Sequence, residues 1–344
     1  MTDTTAIDRP QHTDPRPGVA ARRKRTPGQL TLLILSRYGT LIALALMIVI
    51  FTAKAGTIFF SLDNFINILS QASLMAIISA GLTMTLVVGE FDLSIGYAAS
   101  FCGVLVVGFM ALQNLPEAIA VALMIVIGAG IGTVNGVLVT KVRINAVIAT
   151  IGIGTILVGL CFAYSPFPIV TNIPPAFSDL SLGRPILGIP NSILIMLVVL
   201  AILWVILNKT NLGRKMQAVG GNIEAARLSG IRVDRIKIFA FATAGVCAAI
   251  TGILLSALLG SGTSAAADGY LLEAFAAVFL GSATLRDGEF HIVGTLVGVL
   301  IISVGFNGLS IFAAPSWAQQ VFSGGILILA VGLSTLARRY ANAS

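Results

Sequence analysis

The sequence predicts an all-α polytopic membrane protein of about ten transmembrane helices. Three observations carry this. Of 344 residues, 57% are hydrophobic and only 10% charged, against roughly 45–50% and about 25% in soluble domains. Apolar runs of about 20 residues, the length that crosses a bilayer, recur along the whole chain. Lys and Arg fall almost entirely in alternate connections between those runs. A soluble globular enzyme is excluded, and so is a disordered chain, which needs low hydrophobicity and high charge.

Taken in order, residues 1–37 form a polar and basic tail. Its first 29 residues contain Pro10, Pro15, Pro17 and Pro27 and the cluster Arg22-Arg23-Lys24-Arg25. They read as a disordered cytoplasmic segment lying near anionic lipid. A signal peptide cut after Ala53-Lys54-Ala55 fits poorly, because the apolar stretch is too long and holds Arg37 near its start. The spans then run roughly 38–56, 66–88, 93–112, 117–139, 146–163, 191–208, 238–259, 271–285, 291–311 and 318–337. They make up a transmembrane domain over 38–337, followed by a short tail over 338–344. With residues 1–37 inside and strict alternation, 19 of the 21 basic residues fall inside, and only Lys54 and Arg184 fall outside. That asymmetry puts both termini in the cytoplasm. The net charge of +7 is thus topological and no sign of nucleic-acid binding.

Cys102, Cys161 and Cys247 lie inside apolar runs without CxxC spacing, and His12 and His291 are far apart. They read as core residues and make no metal site. Gly128, Gly132 and Gly136, and again Gly294 and Gly298, form GxxxG steps. Such faces allow close helix approach, within the chain or between two copies. No span interior carries Lys or Arg, which favours a small, neutral, polar cargo over an anion. No GxxxxGK[ST] string occurs, so the chain has no phosphate-cradling loop of its own.

Three connections hold the polar chemistry. Residues 89–94 place Glu90, Asp92 and Ser94 at the start of the third span. Asp92 suits an N-cap, while a place in the permeation path is the alternative. Asp268 and Glu273 make a similar acidic start for the eighth span. Five spans separate the two, and an odd offset permits two inverted five-helix halves. The outer loop 164–190 holds six of the twelve prolines, which suits a docking surface or a rigid connector. In the inner loop 209–237, Asn222 is placed to cap a short helix from Ile223 to Ser229, and Gly230 to end it in a left-handed turn with Ile231 beyond. Such a helix is a rigid knob or, alternatively, a surface anchor.

Here a resemblance enters. Glu224-Ala225-Ala226-Arg227-Leu228-Ser229-Gly230-Ile231 resembles the EAA coupling loop of ABC importer permeases. Phe91-Asp92-Leu93-Ser94-Ile95-Gly96, Gly269-Tyr270, Glu273 through Gly281, and Asn307-Gly308-Leu309 are similar to the ribose-type sugar permeases. The likeness covers about 38–337. Glu90, where the family usually has Gly, and Glu289-Phe290, in place of a Gly-Ser-like pair, depart from it.

The resemblance implies a bacterial inner-membrane permease subunit that performs no covalent chemistry. It implies a second permease copy, an ATPase subunit carrying ATP and Mg, and a periplasmic or lipoprotein sugar-binding protein. This chain itself would bind no cofactor. Glu224, Ala225, Ala226, Arg227 and Gly230 would meet the ATPase, with the two small alanines allowing close approach. Glu90, Asp92, Ser94, Asp268, Glu273 and Asn307 are candidates for the path or for helix starts. An ion-coupled secondary transporter is the competing class; it has no need of a capped knob. An intramembrane enzyme would need a convergent nucleophile and base, which the sequence does not offer.

Overall fold

A computed structural model describes residues 27–170, 173–282 and 288–342, with side chains within 39–329. The segment expected to be a disordered tail lies mostly outside the described residues. Among the described residues, a helix overlaps each of the ten predicted runs: α1 Pro27–Ala55, α2 Leu62–Val87, α3 Ile95–Ala111, α4 Glu117–Val137, α5 Ala146–Tyr164, α7 Asn191–Lys209, α10 Val233–Leu259, α11 Asp268–Ser282, α12 Ile292–Ile311 and α13 Ser316–Asn342. Three shorter helices lie between them: α6 Pro175–Leu182, α8 Asn211–Gly221 and α9 Ile223–Leu228. Seven of the described helices are long and apolar enough to cross a membrane, and α3 is apolar but shorter. The chain is therefore a multi-pass helical membrane protein.

Several boundaries differ from expectation: α2 starts at Leu62 rather than 66, α13 runs on to Asn342, into the expected tail over 338–344, and two further starts have a plain local cause. Helix α1 begins at Pro27 rather than near 38, because proline at the first helical position costs nothing and its φ is already helical. Helix α10 begins at Val233, a turn before the apolar run, with Asp234 in its first turn, where negative charge meets the helix dipole favourably.

Glycine decides how the bundle closes. A Cβ at Gly128 or Gly132 would run into the carbonyls of Gly245 or Phe241, and one at Gly136 into the Ile238 backbone. The α4 stripe is thus consumed against α10 within one chain. Gly294 and Gly298 are used the same way, against Gly281 and Ala277 of α11. Backbone-to-backbone seams of this kind let dispersion act over the full helix length, which is what associates helices when lipid is as apolar as the core. The three cysteines are buried and free.

The two ends of the bundle hold different connections. At one end, Tyr164 donates to Gln113 Oε1 at 2.8 Å, Ile169 bridges Gly262, and Asn64 and Asn307 exchange hydrogen bonds at 3.1 and 2.9 Å. At the other, Lys141 meets Asp234 at 2.6 Å, Lys237 pairs with Glu90, and Gly220 abuts the Val87 carbonyl. The segments 89–94, 140–145 and 209–237, expected on one side of the membrane, are therefore neighbours in space.

Candidate functional site

Helix α9 is built as its local sequence dictates. Asn222 Oδ1 accepts from Ala225 N–H at 3.0 Å, so an otherwise orphaned N-terminal donor is satisfied. Ser229 is the C-cap, and Gly230 follows at φ +77°. Ile231 N–H donates to Ala226 O at 3.1 Å and Gly230 N–H to Arg227 O at 3.0 Å. This is a Schellman motif with both of its bonds made. Helix α8 leads in, burying Gly213, Met216 and Val219 at three-residue spacing, with Arg214 and Lys215 outward. A cleft of about 630 Å³, lined by Thr140, Arg143, Ile223 and Arg227 among others, separates α9 from the end of α4. All residues of the short helix but Ala226 are exposed.

Which face of α9 is free differs from the expectation. Ala226 is 3% exposed and packs into its own bundle, so it cannot receive a partner. Its small size serves close approach of α9 to this chain. Ala225 is exposed, and so are Glu224 and Arg227, which pair at 3.3 Å. Leu228, which sequence reasoning passed over, is 89% exposed. A single exposed leucine is ordinary on a protein surface; its place at the end of a short capped helix makes it a candidate contact. The six-residue helix places it two positions from the buried Ala226, a face difference that helical periodicity alone could have revealed.

The start of α3 is a second cluster. Asp92 does not cap α3; Ser94 occupies that position, in helical conformation and with no capping bond from its side chain. Asp92 Oδ1 instead accepts from Ser94 N–H at 2.9 Å and from Ser94 Oγ at 2.6 Å. A serine caps by accepting at its oxygen from an extended backbone; Ser94 is already helical at φ −88° and ψ −13°, and its Oγ accepts from another helix instead. Asn135 Nδ2 donates to Ser94 Oγ at 2.8 Å, and Thr150 Oγ1 accepts from Leu93 N–H at 3.0 Å. The turn is thus gripped by α4 and α5. Burial pushes the Asp92 carboxyl up to about 6, against the lowering effect of the Ser94 bonds.

The other sequence candidates divide. Asp268 begins α11 and accepts from Ser100 Oγ at 3.4 Å; the same hydroxyl accepts from Ala267 N–H at 3.0 Å. Gly96 lies against Ala267 O, so α3 and α11 meet near their N-termini. Glu273 is half-buried on α11. Asn307 belongs elsewhere, tying the end of α12 to the start of α2 through Asn64. Glu90 joins Lys237, both side chains mostly buried. No group of three or more His, Cys, Asp or Glu among the described residues could hold a metal.

A multi-pass helical bundle with a short capped helix between two spans fits a transport permease, and the comparisons identify one. Residues 64–331 match the family described as branched-chain amino acid transport system / permease component; the chain belongs to it. Among its relatives is the ribose import permease protein RbsC of Escherichia coli (strain K12), 37% identical over 296 residues, 85% of this chain and 91% of that protein. The ribose import permease protein RbsC of Bacillus subtilis (strain 168) is 36% identical over 269 residues, 78% of this chain and 83% of that one. The L-arabinose ABC transporter permease protein AraH of Azospirillum brasilense is 33% identical over 324 residues, 94% of each. These relatives are permease subunits and not enzymes. No solved structure matches the chain.

Proposed function

We propose that the chain is the membrane subunit of an ATP-driven importer that moves a small neutral sugar or polyol across the bacterial inner membrane. It works as two identical copies, with a separate ATPase below and an extracytoplasmic sugar-binding protein above. The observation that carries this reading is α9: a short, capped helix whose free face holds Leu228, Glu224 and Arg227. The family description names amino-acid transport, but relatives at 36–37% identity carry ribose in their names. The lack of cationic residues in span interiors also favours a neutral cargo.

Both termini face the cytoplasm. The gathering of 89–94, 140–145 and 209–237 at one end supports this, since that end then carries the basic residues expected inside. The meeting of α3 and α11, each begun behind an acidic residue, supports a construction from inverted halves. ATP and Mg act on the ATPase, and residues 38–337 are the working domain. The test is uptake of radiolabelled ribose, xylose or a polyol by vesicles containing the complex. ATP inside with the binding protein outside should drive accumulation. Uptake that follows an imposed ion gradient and ignores ATP would instead establish secondary transport.

A further inference from the structure

The turn between α2 and α3 is held from both flanks of α9. Helix α8, just before α9, brings Gly220 against the Val87 carbonyl at the end of α2, with no room for a Cβ. Helix α10, just after α9, brings Lys237 to Glu90, with the two side chains 12% and 16% exposed. The next residue, Phe91, is 41% exposed and lies over α11. Its ring stacks on Phe275 at 6.0 Å and 21° and on Phe279 at 6.5 Å and 27°. Phe275 and Phe279 stack on each other at 6.4 Å and 21°, and Phe290 meets Phe279 edge-on at 5.5 Å. Three near-parallel rings thus join the α3 turn to α11 at the end of the bundle that carries α9.

We propose that the Glu90–Lys237 pair is the link through which movement of α9 and α10 shifts Phe91 on the Phe275–Phe279 stack, opening and closing the inner end of the path. This rests on the importer reading above. A mostly buried ion pair is a poor source of stability, because desolvation offsets its attraction. It does tie the turn to α10, and its loss would leave one flank of the turn free of α10. The aromatic stack is the complementary part. Offset rings tolerate sliding while excluding water, as a closure that must open in each cycle requires. Glu90 and Lys237 are positioning residues, acting through Phe91.

The experiment uses the full complex of permease, ATPase and binding protein in vesicles, with ribose uptake and ATP hydrolysis measured together. The variants are Glu90→Gln, Lys237→Glu, Glu90→Lys, and the double swap Glu90→Lys with Lys237→Glu. Glu90→Gln should leave assembly and basal hydrolysis near the parent's, while sugar moved per ATP falls about tenfold, within the range of coupling between distant sites; the two charge reversals set like charges together in a mostly buried site and should lower the ratio further, some of it through lost assembly. The swap should recover most of that ratio, and Phe91→Ala should also lower it. An unchanged ratio in the single variants, or a swap no better than either single change, overturns the proposal. So does a parallel fall of yield, hydrolysis and uptake in the isosteric Glu90→Gln, which would make the pair merely structural. Failure of the parent complex to take up sugar with ATP would sink the importer reading instead, a separate outcome.

Discussion

Replacing Gly230 isolates the backbone term in the coupling helix. Gly230 sits at φ +77°, and nothing lies within 4 Å of where its Cβ would be. A side chain there meets no neighbour, so the whole cost is conformational. For an ordinary residue that cost is roughly 1–2 kcal/mol; it is higher for a β-branched residue and lower for asparagine. The expected order of damage is therefore Asn, then Ala, then Val. The strain loads directly onto the two closing bonds, Gly230 N–H to Arg227 O and Ile231 N–H to Ala226 O. A loss of about 1–2 kcal/mol raises the population of the opened end about 5–30-fold. Hydrogen exchange at residues 230 and 231 should accelerate by that factor in Gly230→Ala, with α4 and α10 unaffected. Coupled uptake should fall in the same order across the series. Equal exchange in all three variants, or Asn as harmful as Val, would refute the left-handed stop as the source of the rigidity.

Other expectations follow from single contacts. Gly132→Leu should abolish stable permease, since its side chain must displace the Phe241 backbone at more than the roughly 1–3 kcal/mol of ordinary overpacking; Gly130→Leu, with open space around it, should melt like the parent. Asp92→Asn should keep both Ser94 bonds and near-parent stability, whereas Asp92→Ala strands the buried Ser94 donors and should cost about 1–3 kcal/mol in thermal unfolding. If Asp92→Asn assembles normally yet transports nothing, the charge itself acts in the path. Cysteines placed at Leu187, 92% exposed, and at Ser229 should label with an impermeant reagent from opposite membrane faces, Leu187 from outside; labelling of both from one face defeats the alternating topology.

The helices under the apolar runs were legible because apolar length is an additive signal, spread over many residues. The cap and stop of α9 were legible because Asn222 and Gly230 act through their own backbone neighbours. Whatever depends on a partner helix was not. The Gly128-Gly132-Gly136 stripe left open which helix it met, and only the bundle shows α10 filling it. Asp92 looked like a cap because acidic residues before a helix commonly are. The grip of Asn135 and Thr150 on the turn comes from 41 and 57 residues away and leaves no local trace. The two faces of α9 were readable in principle. Ala225 and Ala226 are alike in size, but their angular separation on the helix puts one outside and one inside.

The most direct measurement concerns Leu228, the bare apolar residue on the helix that carries the functional reading. Leu228→Cys introduces one exposed thiol into a chain whose three native cysteines are buried, so a maleimide reagent reports that position against a low background. In the permease alone the thiol should label rapidly. Added ATPase subunit should protect it, and the protection should change when ATP closes the ATPase dimer. Labelling at the same rate with and without the ATPase, in a complex shown to be assembled, would mean that α9 does not meet the motor, and the account of this chain as an importer subunit driven through that helix would fail.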